Sequence, residues 1–307
     1  LFHGTDGIVG WLDIDRSMRG RRGRHDGLAG LFRLATDFRR ARADVILVMH
    51  HSKTYALAAR IAGIPLRWGY GIGNGRRWLN RGIFLDDDAR NERPYKKLGR
   101  YALANGFGLE NPRWKISTTT RAWNNVREYC DKQSITADLE NQPDGRNMVV
   151  LGIGAMDNER QWPPSCFAAL AAYLDARWPE KKIMLMGSPS EMPIIASIMA
   201  DPNAPLGLIA NTAPLDEAVA LLTAAKAFIG NDSGLLNIAA ACGRPTIGIF
   251  AQSEPLDYTK NITAVVPQDN KFGEAGAIGR ITPEQAFSVV AATLHRQGAA
   301  GAEQPGT

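Results

Sequence analysis

A short polar run in the second half of the chain has residue types that suit the binding of an anion. The run consists of Asn231, Asp232, Ser233 and Gly234, and an Ala-rich segment of helical composition follows it. Asp and Ser are favoured at helix N-caps, and the unpaired N–H groups of a helix N-terminus attract phosphate. A plain N-cap explains one of these residues but not the whole run. The run therefore predicts contact with a negatively charged ligand.

Two earlier loops combine glycine with charged or small polar residues. The first, residues 152–163, contains Gly154 and Arg160 and enters a helix at two prolines. An arginine beside a helix start is placed to clamp an anion. The second runs from Gly187 to Glu191; its small residues admit a flat ligand, and its carboxylate suits hydrogen bonds from a ribose or a base. Each loop alone is equally typical of an ordinary connection between a strand and a helix.

These three loops follow apolar runs that alternate with helical segments. The runs are Met148 to Ile153, Lys182 to Met186 and Ala227 to Gly230. Alternation of this kind over residues 148–250 predicts a doubly wound parallel sheet with helices on both faces. In such sheets ligands bind beyond the carboxyl ends of the strands. We therefore expect the three loops to lie at one edge of the sheet.

The first half of the chain also predicts an α/β arrangement. Leu28 to Ala43 has helical spacing, and Asp44 to Met49 has the composition of a buried strand. A second helical segment, Ser52 to Ala62, leads to a further strand at Leu66 to Tyr70. A strand, helix and strand of this length imply a right-handed parallel crossover.

A polar stretch at residues 138–147 contains Pro-Asp-Gly and is typical of a linker. It predicts an N-terminal domain at residues 1–140 and a C-terminal domain at residues 148–296. The last eleven residues, 297–307, are small and polar, and we expect them to form a disordered tail.

Charge is distributed unevenly over the 307 residues, whose formal net charge is +5. Residues 1–147 contain 26 Lys and Arg against 16 Asp and Glu, whereas residues 148–307 contain 10 against 15. A basic half attracts a polyanion such as a nucleic acid, an anionic membrane surface or a phosphorylated acceptor, and a solvated basic face is the alternative. Nucleic-acid binding is disfavoured because the arginines are not interleaved with aromatic platforms.

Cysteine usage and hydropathy argue against a disulfide-rich, a zinc-cluster and a membrane-spanning protein. Cys130, Cys166 and Cys242 are odd in number and far apart, without a CxxC pair. This pattern argues against a disulfide framework or a zinc cluster and favours a reducing compartment. No run of 18 or more apolar residues predicts a membrane span. We therefore expect a globular cytoplasmic protein.

Several motifs follow one another in a recognisable order. ADVILVMHHSKTYALAARIAGIPLRWGYG at 43–71 and GIGAMDNERQWPPSCFAALAAYL at 152–174 come first. GNDSG at 230–234 with its Ala-rich helix, GRPTIGIF at 243–250 and Glu-Pro at 254–255 come after them. In this order, over about residues 13–290, the chain resembles glycosyltransferase family 9, the ADP-heptose:lipopolysaccharide heptosyltransferases.

The resemblance implies a GT-B fold, in which two Rossmann-like domains face a cleft, and an inverting, metal-independent transfer from an ADP-sugar without a cofactor. Asp232, Ser233 and Gly234 match the family's donor-binding Asp-Ser-Gly, and Arg160 stands where the family usually has a phosphate-binding lysine. The resemblance assigns donor binding to Gly154, Arg160, Gly187, Glu191, Asn231, Asp232, Ser233, Gly234 and Asn237.

The sequence departs from the family pattern in three places. Asn237 stands where the family often has His, and Gly-Ile-Gly-Ala at 152–155 replaces its His-Pro-Gly-Ala. The family begins with a strand and a Gly-Asp-Val turn that carries its candidate catalytic base, and this sequence has no such segment. We therefore expect an incomplete N-terminal domain. His50 and His51 are the best remaining candidates for the base, ahead of Asp6, and a structural role for either His is an open alternative.

The resulting hypothesis is a glycosyltransferase that moves a heptose-like sugar from ADP to an anionic glycolipid acceptor of the lipopolysaccharide core type. Such an enzyme is expected in the cytoplasm, with peripheral contact at the inner face of the plasma membrane. One alternative is a catalytically inactive relative that binds a nucleotide sugar. Another is a different GT-B enzyme, either a transferase that uses a UDP-sugar or an epimerase.

Overall fold

A computed structural model of the protein describes residues 10–17, 21–108, 116–135 and 147–302, with side chains up to His295. These residues form two compact units. One contains the described residues up to Gly108, and the other contains those from Ile116 onward. The division therefore falls well before the expected boundary at residues 140–148. Residues 136–146, which include most of the expected linker, lie outside the described residues.

The first unit confirms the predicted strand–helix–strand crossover. Its helices and strands, among the described residues, are α1 (Gly27–Arg40), β1 (Val45–Val48), α2 (Lys53–Ala62), β2 (Leu66–Gly69) and α3 (Pro94–Ala104). β1 pairs with β2 in parallel, and α1 and α2 bury Leu34, Ala58 and Ala59 between them. The Ser52 hydroxyl caps α2 by accepting from the Thr54 N–H, and Gly63 ends the helix in the left-handed conformation.

Helix α4 (Thr120–Lys132) belongs to the second unit, although it precedes the expected domain boundary. Its apolar face buries Val126 and Cys130 in the core of that unit. Two hydrogen bonds also anchor it there: the Thr118 hydroxyl donates to the Asp216 carbonyl at 2.6 Å, and the Asn125 amide donates to Glu217 at 2.8 Å.

The second unit confirms the predicted doubly wound sheet. Its described strands are β3 (Met148–Gly152), β4 (Lys182–Met186), β5 (Ile209–Asn211), β6 (Ala227–Asn231), β7 (Thr246–Ile249) and β8 (Ile262–Val265). All neighbouring pairs are parallel, and the spatial order is β5-β4-β3-β6-β7-β8. This is the Rossmann order, in which the direction of winding reverses between β3 and β6.

Helices cover both faces of this sheet and bury its strands. They are α5 (Pro164–Arg177), α6 (Met192–Met199), α7 (Leu215–Ala224), α8 (Gly234–Ala241) and α9 (Pro283–Ala302). Alternate residues of β3 enter two cores: Val149 and Leu151 pack toward α5 and α9, and Met148 and Val150 pack toward α7 and α8. Because both faces are buried, the strands have continuous apolar sequences.

Helix α9 runs further than the sequence indicated. It continues through residues 297–302, so the expected disordered tail is wrong for those residues. Residues 303–307 lie outside the described residues.

Candidate functional site

The three polar loops meet where the winding of the sheet reverses. β3 lies between β4 and β6, and each of these strands ends at the carboxyl edge in one of the predicted loops. The crevice outside the carboxyl ends at such a reversal is the usual ligand site of doubly wound sheets. The expectation that the three loops share one edge is therefore confirmed by the strand order.

Asn231, the last residue of β6, fixes the loop that follows β3. Its side chain is fully buried, its Oδ1 accepts from the Trp162 N–H at 3.1 Å, and its Nδ2 donates to the Ile153 carbonyl at 3.0 Å. The buried Trp162 indole in turn donates to the Ile281 carbonyl at 2.8 Å. The Asn231 amide is therefore committed to backbone groups of the protein, and a direct contact of Asn231 with the donor stays a prediction. Asn231 positions the loop.

Arg160 and Asp232 come together as the resemblance requires. Arg160 Nη1 lies 3.1 Å from Asp232 Oδ2, and the Ser253 hydroxyl donates to the same oxygen at 3.2 Å. Asp157 caps the short turn 158–160 by accepting from the Arg160 N–H, which holds the arginine in place. The Arg160 side chain is 33% exposed, so it is accessible to a ligand while its charge is balanced by Asp232.

Two polar atoms at this site are buried and have no hydrogen-bond partner among the described residues. They are Ser233 Oγ and Arg160 Nε, and the latter has an ion-pair contact with Asp157 Oδ2 at 3.5 Å. Ser233 occupies the N-cap position of α8, yet its hydroxyl makes no capping bond to the helix. Buried polar groups are nearly always paired, and each unpaired one costs about 1–3 kcal/mol. A polar ligand would supply hydrogen-bond partners for these two atoms.

Asn237 lies in the first turn of α8 and links that helix to the loop after β7. Its Nδ2 donates to the Ser233 carbonyl at 2.9 Å, and its Oδ1 accepts from the Tyr258 hydroxyl at 2.6 Å. Ser253 belongs to the same loop, which is therefore joined to α8 at one end and to Asp232 at the other. Sequence reasoning did not identify Ser253 or Tyr258; the Glu-Pro pair beside them was the available signal.

Glu191 lies between the loops after β3 and β4. Its Oε2 accepts from the N–H and the hydroxyl of Ser188, at 2.6 and 2.9 Å, and these bonds complete a capping box. A Cβ at Gly154 would lie 2.5 Å from Glu191 Oε1, and one at Gly187 would lie 3.0 Å from Oε2. Both glycines therefore make room for the Glu191 carboxylate. This internal contact accounts for both glycines, and their predicted role in admitting a ligand to the backbone stays a prediction.

His50 and His51 follow β1 in the first unit and stack on each other, with ring centroids 4.5 Å apart. His50 Nδ1 accepts from the Ser52 N–H at 2.9 Å. Partial burial lowers the pKa of His50, and the charges of His51, Arg16 and Lys97 lower it further. The neutral ring then carries its proton on Nε2 and has no nitrogen left to take another. The bond from Ser52 and the lowered pKa disfavour His50 as the base, and the role of each histidine stays a prediction.

The fold and the site together define an α/β protein of the Rossmann type with polar loops gathered at one edge of its sheet. Residues 31–274 match the profile of glycosyltransferase family 9 (heptosyltransferase). The chain belongs to this family, as its motifs indicated.

One curated relative is lipopolysaccharide heptosyltransferase 2 of Escherichia coli K12, which is 28% identical over 235 residues. The match covers 74% of this chain and 65% of that protein, so the chain spans just under two thirds of its relative.

Two solved structures show that the fold is shared. A family 9 glycosyltransferase from Veillonella parvula matches with a TM-score of 0.73 at 18% identity, over 90% of this chain and 81% of that one. The E. coli ADP-heptose heptosyltransferase II matches with a TM-score of 0.66 at 23% identity, over 87% and 81%. The predicted α/β fold of the GT-B type is therefore confirmed. An incomplete N-terminal domain stays a prediction.

The described residues contain neither a candidate membrane span nor a candidate metal cluster. Within the described ranges, no helix is both long and apolar enough to cross a membrane. In the same residues, no group of three or more His, Cys, Asp or Glu side chains is arranged to hold a metal ion.

Proposed function

We propose that the chain acts as an inverting glycosyltransferase that transfers a heptose-like sugar from an ADP-sugar to an acceptor of the lipopolysaccharide core type. Membership of family 9 supports the reaction class. The observation that carries the donor assignment is a pair of buried atoms beside the N-terminus of α8: Ser233 Oγ, which has no hydrogen-bond partner among the described residues, and Arg160 Nε, which has an ion-pair contact with Asp157 at 3.5 Å but no hydrogen bond. A diphosphate supplies acceptor oxygens for both atoms.

The same groups stabilise the leaving group. When the bond between the sugar and the diphosphate breaks, ADP keeps the bonding electrons and gains negative charge. The N–H groups of the first turn of α8 and the Arg160 guanidinium are fixed in place to receive that charge. Asp232 balances the charge of the arginine, and its position 3.1 Å from Arg160 keeps the guanidinium oriented.

The nucleoside end of the donor is assigned to Glu191. Its Oε2 is engaged by Ser188, whereas its Oε1 accepts no hydrogen bond from a described residue and faces Gly154. A carboxylate oxygen with free lone pairs accepts from the hydroxyls of a ribose. Glu191 is therefore proposed as the residue that binds the ribose.

The acceptor is assigned to the first half of the chain, which carries the excess of Lys and Arg. This excess supports the docking of an anionic glycolipid at the inner face of the plasma membrane, by a protein that is otherwise cytoplasmic. His51 is the favoured candidate for the group that removes the proton from the acceptor hydroxyl.

The donor assignment is tested by titrating ADP into the parent protein and into Arg160→Ala. Loss of a charge-assisted contact is expected to weaken ADP binding about ten- to hundredfold and to abolish turnover of ADP-heptose. Arg121→Ala, on the exposed side of α4, is the matched control and should bind ADP like the parent. Equal ADP affinity in the parent and in Arg160→Ala would overturn the assignment.

A catalytically inactive nucleotide-sugar binder is the second candidate. It is favoured by the engaged Nδ1 of His50, which disfavours one of the two candidate bases. For this candidate, ADP raises the melting temperature of the protein while transfer of the sugar stays undetectable. A larger shift with UDP than with ADP would instead support a UDP-sugar enzyme or an epimerase.

A further inference from the structure

A cavity of about 500 Å³ lies in the second unit, at the edge of the sheet opposite to the donor site. Two of its lining residues, Lys181 and Lys226, directly precede β4 and β6, so the cavity lies at the amino ends of these strands. The end of α5 and the last described side chains of α9 complete its wall. Its volume falls in the range of small-molecule sites, and the proposed transfer reaction does not use it.

The rim of this cavity is cationic. Arg177, Lys181 and Lys226 face one carboxylate, Glu180, which binds Lys181 at 2.9 Å. A cation at the end of α5 is expected from the helix dipole, and this accounts for Arg177. The helix dipole does not account for Lys181 and Lys226, which directly precede two different strands, β4 and β6. Backbone bonds from Lys182 to Asn147 and from Lys226 to Met148 hold those strand starts on either side of β3.

The floor of the cavity is apolar. The Trp178 indole contacts the Phe287 ring, with ring centroids 6.1 Å apart. The Arg177 guanidinium lies 5.2 Å from the centre of the indole. Ala291 and Leu294 of α9 extend this apolar surface. A tryptophan flanked by Lys and Arg is the combination found where proteins meet the interface between a membrane and water.

We propose that this cavity binds the phosphate-bearing headgroup of an anionic phospholipid. The cations neutralise the phosphate, and the tryptophan floor receives the glycerol and the first carbons of the lipid. A free phosphate would use the cations but not the apolar floor, so the lining favours a lipid. The site is independent of the donor site, because it shares no residue with it.

The test is co-sedimentation of the full chain with vesicles of phosphatidylglycerol and phosphatidylcholine, compared with pure phosphatidylcholine. The double variant Arg177→Gln/Lys181→Gln is expected to lose about thirtyfold in its partition coefficient on the anionic vesicles, which corresponds to about 1 kcal/mol per cation. Arg121→Gln/Lys132→Gln removes the same charge from α4 and should bind like the parent. An equal loss in this control, or no loss in the first variant, would overturn the proposal.

A second variant keeps the cations and the fold in place. Ala292 is exposed on α9 at the cavity, so Ala292→Glu adds a repelling charge without a packing defect, and Ala292→Gln is its neutral match. The glutamate variant should lose binding to anionic vesicles and the glutamine variant should keep it. Binding that millimolar inorganic phosphate abolishes at constant ionic strength would assign the cavity to free phosphate and overturn the lipid assignment.

Discussion

The fold does not require glycine at position 234, whereas the proposed diphosphate ligand does. A Cβ at this position meets no atom within 4 Å, and Gly234 is the first residue of α8. The folded protein therefore has room for alanine, and alanine is the better helix former by up to about 1 kcal/mol. The glycine is explained if a diphosphate approaches the backbone there.

Gly234→Ala is accordingly expected to weaken ADP binding while the free energy of unfolding stays unchanged or rises slightly. Calorimetric titration with ADP and urea unfolding measure the two quantities. Gly207→Ala is a suitable control, because Gly207 also faces open space but lies far along the chain from the three loops. Unchanged ADP affinity in Gly234→Ala would remove the N-terminus of α8 from the donor site.

His50 makes a prediction about pH. Its pKa in the folded protein is lowered, chiefly by partial burial, whereas the unfolded chain has the ordinary value of about 6.5. Near pH 6 the unfolded state therefore binds more protons, and the free energy of unfolding falls as the pH drops below about 6.5. His50→Gln should flatten this dependence in urea unfolding between pH 5.5 and 7.5. A parallel dependence in parent and variant would show that His50 does not contribute.

At the scale of the elements, the anchoring of the loop after β3 depends on one buried amide. Asn231→Ala leaves the Trp162 N–H and the Ile153 carbonyl without partners, and it is expected to lower the free energy of unfolding by about 3 kcal/mol. Asn203→Ala, whose side chain is exposed and bonds only to nearby Asp201 among the described residues, should change it little. Chemical denaturation followed by circular dichroism measures both. A loss no larger than that of the control would contradict the anchoring role.

The sequence predicted most of the second unit because its strands are buried on both faces. Apolar runs such as that of β3 and β6 are unambiguous when helices alternate with them. β8 was not predicted, since it has four residues and three of them are only half buried. The sequence did not predict that α4 packs in the second unit, because the apolar face of a helix shows that it packs but not which unit it packs against.

Side-chain roles in the site were harder to predict than the loops that carry them. Gly154 marks a close approach in the sequence, but the approaching group is Glu191, which comes from the loop after the neighbouring strand β4. Asn231 looked like part of a ligand-binding run, yet its amide points back at the protein. Such pairings depend on the order of strands in the sheet, which local sequence does not encode.

At the scale of the whole molecule, the loops suited to the proposed donor and the charge suited to the proposed acceptor lie in different halves of the chain. The Rossmann-ordered unit carries the anion-suited loops, and the first half of the chain carries the excess of basic residues. The chain spans 65% of its E. coli relative. The proposed transfer is therefore tested on this chain itself, with ADP-heptose and a phosphorylated acceptor.

The most direct measurement is a diffraction structure of the chain crystallised with ADP. If the donor binds as proposed, we expect diphosphate oxygens within about 3.2 Å of the first N–H groups of α8, of the Ser233 hydroxyl and of the Arg160 guanidinium. ADP bound elsewhere, or a diphosphate that touches neither Arg160 nor Ser233, would contradict the proposal.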